Sequence, residues 1–342
     1  MHVSDSLAKV LKEFLEQDYS APLPIIKQAE KMVIKPANIT KPKKKDGWKL
    51  AALLPDTQIG YRVYEDGSVI EFHDEKAIEI AMQIVAYANE QFGVETIVNL
   101  GDTIDLPAQS RHHQEIAFQN STNLAIQRGY EYLAQQRATV PDAEIVFLEG
   151  NHDCRIYKYL AENAPAVVNM RRAVDDAVSE PSWPVNSLPH LLRMDELGIV
   201  YASGYPAGEY WLNENLRCIH GDRVNSSGST AMKYINSNHH VSVVYGHIHR
   251  IEMLYHTNHT STGPARNAAF SPGCLCRVDG SVPSVKGGVT PNEKPVKYWE
   301  NWQQGIGFAW YKDSGEFTLL SVPIIDDWAV FMGREFRAQE PK

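Results

Sequence analysis

Five short apolar runs, each ending in a small polar cluster, constrain this chain more than any other feature. WKLAALLP leads into Asp56-Thr57-Gln58, ETIVNL into Gly101-Asp102-Thr103-Ile104-Asp105, AEIVFLE into Gly150-Asn151-His152-Asp153, LRCIH into His220-Gly221-Asp222, and VSVVYG into Gly246-His247-Ile248-His249. Runs of this length and apolarity read as buried strands. In open α/β sheets, sites form in the crevice beyond the carboxyl ends of the strands, so the five clusters are expected to converge on one place. Glycine in four of them lets the backbone turn sharply and come close to a bound ion or phosphate. His247 and His249, two apart, face the same side of an extended chain, so both rings can address one centre. A lone histidine at a strand end is more often a hydrogen-bonded structural residue; five clusters in order reverse that reading. Carboxylate, amide oxygen and imidazole together suit Mn²⁺, Fe or Zn²⁺ better than a thiolate-preferring ion.

Helical patterns separate these runs. Asp74 to Phe92 has an N-cap candidate in Asp74, apolar residues Ile78, Ile80, Met82, Ile84 and Val85, and Gly93 beyond its end. A second helix is expected over Asn123 to Arg137. Strands alternating with helices predict an α/β fold. His256 to Gly273, rich in Thr, Ser, Asn, Gly and Pro, is expected to be a long loop. The aromatic stretch from Tyr298 to Tyr311, continuing into FTLLSVPII, predicts a hairpin or two edge strands with a structural role.

Composition narrows the classes. With 342 residues, 43% of them hydrophobic, the chain can bury a deep core and is neither disordered nor a stapled miniprotein. A net charge of −9 argues against a globally basic nucleic-acid clamp, while leaving a local groove open. The longest apolar runs fall far short of the ~20 residues of a membrane span. The first residues mix acids and bases at helical spacing, unlike a signal peptide, and the four cysteines are too unevenly spaced for a disulfide framework, so a cytoplasmic protein is expected. Residues 1–47 are net basic and predict one short amphipathic helix (Leu7, Val10, Leu11, Phe14, Leu15) and a Pro-punctuated linker containing Lys41 to Lys45, docked on a single domain over 48–342. That basic run reads first as a solvated linker and second as a phosphate contact.

The ordered series resembles the calcineurin-like metallophosphoesterase superfamily, whose motifs run D-x-H, G-D-x-x-D, G-N-H-D/E, an isolated histidine and G-H-x-H. Ser271-Pro272-Gly273 resembles the turn that often follows the last of these. The resemblance spans roughly residues 48–280 and implies two central mixed β-sheets flanked by helices, an α/β/β/α sandwich. It implies one divalent cation held by Asp56, Gln58, Asp102 and His249 and another by Asp102, Asn151, His220 and His247, with Asp102 bridging. His152 would act as general acid or transition-state stabiliser, and Asp105 would accept its other ring proton. Gln58 departs from the family's usual histidine. Its carbonyl oxygen is a weaker donor for a borderline ion, which favours Mn²⁺ or Mg²⁺, a labile first metal, or a scaffold without catalysis.

Two ions ~3.5–4 Å apart can generate hydroxide at neutral pH and neutralise phosphate oxygens during in-line attack. The expected function is therefore a phosphodiesterase acting on nucleic acid such as DNA or on a nucleotide, similar to the superfamily's DNA-repair exonuclease branch. The alternatives are a phosphomonoesterase or protein phosphatase with the same metals, and a non-catalytic binding scaffold. Arg111, His112 and His113 are candidates to reach substrate, or form a solvated loop. Asp153 and Asp222 read as turn residues or partners of the neighbouring histidines, Cys154 as a buried thiol, Cys274 and Cys276 as an improbable zinc pair, and His239, His240, His256 and His259 as surface histidines. Sequence does not fix the oligomeric state.

Overall fold

The computed structural model describes residues 46–112, 114–171, 183–225, 229–237, 240–285, 290, 296 and 300–339. The arm and basic linker expected over 1–47 lie outside the described residues except for Asp46 and Gly47, as do His113 and His239.

Fifteen strands are described: β1 (Lys49–Leu54), β2 (Tyr61–Val63), β3 (Val69–Glu71), β4 (Val94–Asn99), β5 (Glu144–Leu148), β6 (Ile199–Ala202), β7 (Glu209–Asn213), β8 (Leu216–Ile219), β9 (Ser242–Tyr245), β10 (Ile251–Thr260), β11 (Gly263–Pro272), β12 (Gln304–Tyr311), β13 (Phe317–Ile324), β14 (Trp328–Phe331) and β15 (Arg334–Arg337). Six form a sheet in the order β13-β12-β1-β4-β5-β6, and five form another in the order β10-β11-β9-β8-β7. Both are mixed. In the first, β1, β4, β5 and β6 run parallel, β12 runs against them and β13, antiparallel to β12, turns back to their direction; in the second, β8, β9 and β11 are parallel, with antiparallel β7 and β10 at the edges. This is a mixed α/β fold, as the alternating patterns predict.

Strand β1 explains why the runs carry no polar alternation. Leu50, Ala52 and Leu54 face one apolar cluster, shared with the helices α1 (Glu75–Phe92) and α2 (Thr122–Thr139), while Ala51 and Leu53 face a second. That second cluster is built from both sheets: Val98, Val146 and Leu148 from one, Leu216, Cys218, Val244 and Phe270 from the other. A strand covered on both faces must be apolar throughout. On its outer face the second sheet packs Val243, Tyr245 and Ala269 against Ala231, Tyr234 and Ile235, which belong to the helix Thr230–Ser237.

Helix α1 starts and stops where its signals put it. Asp74 accepts from the backbone N–H groups of Lys76 (3.0 Å) and Ala77 (3.2 Å), an N-cap worth about 1 kcal/mol. Helix α2 is tied to β4 through reciprocal bonds between the buried amides of Asn99 and Gln136, at 3.0 and 2.8 Å. No helix among the described residues is long and apolar enough to cross a membrane.

One expectation needs correction, and another is met in one of its two forms. His256 to Gly273 is not a loop: β10 and β11 form a hairpin paired from Ile251↔Pro272 to Thr260↔Gly263, with Ser261 and Thr262 as its turn. The polar composition reflects exposure of alternate residues along β10, and Tyr255, Thr257 and Thr260 are good strand formers whatever their polarity. His256 and His259 accordingly sit in a strand. The C-terminal hairpin does form, but only β13 is an edge; β12 pairs with β1 and buries Ile306 and Phe308 in the main core.

Candidate metal centre

All five polar clusters lie just beyond the carboxyl ends of β1, β4, β5, β8 and β9. What marks them is the backbone. Asp56, Gln58, Asp102, His247 and His249 have φ of 32°, 48°, 49°, 71° and 54°, a left-handed conformation that non-glycine residues seldom adopt. Among the described residues ten non-glycine positions show positive φ, and half of them are these candidate ligands. Such conformations cost of order 1–3 kcal/mol each and persist where the surroundings fix them, commonly at functional sites. Two glycines make the crowding possible. A Cβ at Gly101 would lie 2.5 Å from His220 Nδ1, and one at Gly150 would collide with the Asp102 carboxylate and its backbone nitrogen.

Hydrogen bonds knit the clusters together. Both oxygens of Asp56 accept the His247 N–H, at 2.9 and 3.0 Å, and His249 Nε2 lies 3.3 Å from Asp56 Oδ1. Asp102 Oδ1 accepts the His152 N–H at 2.7 Å, while its Oδ2 lies 3.2 Å from His220 Nε2. Asn151 Oδ1 is 3.0 Å from that same nitrogen. Because the Leu100 carbonyl, 2.8 Å from His220 Nδ1, can only accept, Nδ1 carries a proton and Nε2 faces the two oxygens. A nitrogen lone pair and oxygens converging in a buried spot are balanced by a further proton or by a cation. Asp102, His220 and His247 indeed offer ligand atoms within 4.8 Å of one another, close enough to hold a metal ion. On the other side, Gln58 Nε2 lies 3.0 Å from His249 Nε2, and Gln58 Oε1 is buried without a hydrogen-bond partner. An orphaned amide oxygen beside a carboxylate and an imidazole fits a cation, so both ligand sets predicted from sequence are chemically apt.

The electrostatics follow from this crowding. Burial pushes the Asp102 carboxyl up, but the imidazoles of His152, His220 and His247 outweigh it and hold Asp102 well below the usual range. Burial opposes protonation of His220, yet the Asp102 carboxylate raises it to about 9. His247 is lowered to about 4 by burial and by the neighbouring His220. Asp153 is raised to about 8 by burial and by the Asp102 charge.

His152 is 5% exposed, with Nδ1 3.0 Å from Asp105 Oδ1, close but outside hydrogen-bond alignment. Sequence reasoning missed the third member of this group. Arg155, at the start of the helix Arg155–Asn163, donates to Asp105 through Nη1 and lies 3.2 Å from His152 Nε2 through Nη2. Its position three residues after His152, one turn on, was a usable signal. Trp302 gave no local signal; it packs edge-on to His249 with ring centroids 4.2 Å apart, so this aromatic belongs to the site.

A cleft of about 820 Å³ opens over the group, lined by Gln58, Asp102, Asn151, His152, His247 and His249, with Arg62, His112, Arg155 and Trp302 around them. Asp56 and His220 are buried and do not line it. His112 lines the cleft, whereas Arg111 is exposed, pairs with Glu162 and is absent from the cleft wall. A second cleft of about 840 Å³ is lined by His73, Glu75 and Asp279 among others and touches none of the candidate ligands.

Asp153 does not touch substrate space; it accepts from Ile104 N (2.9 Å) and Gly150 N (2.8 Å) and locks two clusters together. Asp222 is half-exposed, with its carboxylate 3.7 Å from Arg223, and orientation of His220 falls to Leu100 instead. Cys154 is buried and donates to the Asn151 carbonyl, as the bland reading expects. Cys274 and Cys276, dismissed on sequence grounds, form with His249 a second group of donors within 4.8 Å. No known family's sequence profile matches this chain, and no curated protein matches it.

Proposed function

We propose that this chain is a dinuclear-metal-dependent phosphoester hydrolase of the calcineurin-like kind, acting on phosphodiesters of nucleic acid or nucleotides. One observation carries the reading: seven hard or borderline donors from five strand ends are gathered at one place, five of them lining one cleft and Asp56 and His220 buried beside these, and five of the seven sit on left-handed backbone. Two mixed sheets packed on each other, with helices on their outer faces, agree with the layering of that superfamily. Asp56, Gln58, Asp102 and His249 would hold one divalent cation, Mn²⁺ suiting them best, and Asp102, Asn151, His220 and His247 the other. When bound, the pair supplies an acidified water and positive charge against the phosphoryl oxygens.

The chain's own groups do the rest. Leu100 fixes the His220 tautomer so that Nε2 faces Asp102 and Asn151, and the His152 backbone N–H holds the Asp102 carboxylate in place between the two donor sets it would serve. Asp105 and Arg155 orient the His152 ring. Arg155 lies beside Nε2, the nitrogen that would donate to a leaving oxygen, and its guanidinium is the natural partner for an incoming phosphate. Once Arg155 turns to phosphate, His152 Nε2 loses that donor, takes up a proton from solvent and can pass it to the departing alkoxide.

The test is a panel of bis(p-nitrophenyl) phosphate, p-nitrophenyl phosphate, single-stranded DNA and duplex DNA, each with Mn²⁺, Mg²⁺, Zn²⁺ or chelator. Mn²⁺-dependent cleavage of the diesters is expected. Cleavage of the monoester alone would move the assignment to a phosphomonoesterase, and inactivity throughout would leave only a binding scaffold.

A further inference from the structure

Beyond Pro272 the chain runs Gly273-Cys274-Leu275-Cys276 along the buried side of His249, pinned on both edges. Cys274 N donates to Gln303 O (3.0 Å), Leu275 N to Asp56 O (3.2 Å) and Arg277 N to Phe72 O (2.8 Å). In return Gly305 N donates to Cys274 O and Asp74 N to Leu275 O, both at 3.1 Å. Extended backbone sends alternate side chains to opposite sides. Leu275 accordingly enters the main core, while Cys274 and Cys276 both join a smaller cluster with Phe72 and Phe118. The His249 ring meets them there. Its Nδ1 lies 3.7 Å from Cys276 Sγ, and the three residues offer ligand atoms within 4.8 Å of one another.

We propose that Cys274, Cys276 and His249 Nδ1 form a separate metal site for a thiophilic d¹⁰ cation, Cu⁺ or Zn²⁺, which nothing in the phosphoesterase reading requires. Two buried thiols can be mere core packing, as Cys218 is between the sheets. Here the geometry goes further. With metal–sulfur and metal–nitrogen distances of ~2.3 and ~2.0 Å, a tetrahedral site has a nitrogen–sulfur edge of ~3.6 Å, close to the separation of His249 and Cys276. Thiolate with imidazole is the donor set that selects Cu⁺ and Zn²⁺ over Mn²⁺ or Mg²⁺. Three donors suffice for trigonal Cu⁺; Zn²⁺ would take a fourth, such as water. As each metal–sulfur bond forms, the thiol proton leaves to solvent. His249 presents its two nitrogens to different neighbours, Nε2 to Asp56 and Gln58 and Nδ1 to sulfur. With the thiophilic ion alone, Nε2 would keep the ring proton and donate it to Asp56; with the hard-metal site also filled, that proton too would leave to solvent and the ring would serve both sites as imidazolate.

The experiment uses the full chain after treatment with chelator and reductant. Cd²⁺ is titrated in while the ultraviolet thiolate-to-metal charge-transfer band is followed; one equivalent should develop the band, Cys154→Ser should keep it, and the double variant Cys274→Ser/Cys276→Ser should lose it. To remove dependence on the variants folding, the wild type loaded with one equivalent of Cu⁺ is measured by X-ray absorption, where two sulfur scatterers and one nitrogen are expected. A band that survives the double variant, no band at all, or copper with only nitrogen and oxygen neighbours would overturn the proposal. None of these readouts involves hydrolysis, so failure here is distinct from failure of the phosphodiesterase reading.

Discussion

Replacing His152 with alanine separates catalysis from metal holding. The His152 side chain is the proposed proton donor, but its contribution to the Asp102 carboxylate comes from the backbone N–H, 2.7 Å from Oδ1, which alanine keeps. Asp105, next to the lost ring, retains its Arg155 partner. Metal loading should therefore survive, while turnover falls by the ~10²–10⁴-fold typical of a lost general acid, about 3–5 kcal/mol of transition-state stabilisation. The size of the loss should depend on the substrate. A nitrophenolate leaves readily without a proton, whereas a nucleoside alkoxide does not, so the defect should be small on bis(p-nitrophenyl) phosphate and large on a dinucleotide. Steady-state rates on both substrates, with bound Mn²⁺ counted by elemental analysis, provide the assay. Asp102→Asn is the contrasting variant and should lose metal itself. Equal losses on the two substrates, or metal loss in His152→Ala matching that in Asp102→Asn, would refute the assigned roles.

Gln58→His exchanges an orphaned amide oxygen for an imidazole and should tighten the weaker of two Mn²⁺ binding steps by about tenfold, ~1.4 kcal/mol, in a calorimetric titration. Arg62 is 2% exposed, donates to both oxygens of Glu115 at 2.6 and 2.9 Å, and lies between Phe72 and Phe118. Arg62→Leu should destabilise by about 3–5 kcal/mol in urea unfolding because it strands the buried Glu115 charge, and Arg62→Leu/Glu115→Leu should recover much of that loss. Burial pushes the Glu75 carboxyl up, but hydrogen bonds from Arg128 and His73 outweigh it and lower it well below the usual range. A depressed folded-state value gives stability that is complete above the unfolded-state value of ~4.3 and lost as pH falls below it, so Glu75→Gln should cost no more than about 1 kcal/mol at neutral pH, the side chain being half-exposed, and the gap should close in acid.

The site was legible because its chemistry follows the rhythm of the sheet. Each candidate ligand comes at or just after a strand's carboxyl end, and strands covered on both faces announce themselves as unbroken apolar runs, as KLAALL does for Asp56. Helix α1 was legible for a similar reason, since Asp74 and Gly93 act locally. Other features escaped, Arg155 among them. The β10–β11 hairpin resembles a loop in sequence because its polarity is a consequence of exposure, not of irregular backbone. Trp302 approaches His249 from 53 residues away, a contact only tertiary packing creates. Cys274 and Cys276 were judged by the absence of a second cysteine pair, whereas their partner is a histidine brought in from the end of another strand. The left-handed backbone of Gln58 and His249 was equally invisible in residue names alone.

On the proposed reading, Asp102 and the donors on either side of it hold two neighbouring cations. Chelator-treated protein titrated with Mn²⁺ and followed by electron paramagnetic resonance tests it most directly, because two ions bridged by one carboxylate couple magnetically. Two Mn²⁺ per chain with an exchange-coupled spectrum, abolished in Asp102→Asn, is the predicted result. Uncoupled ions, or none, would contradict the account.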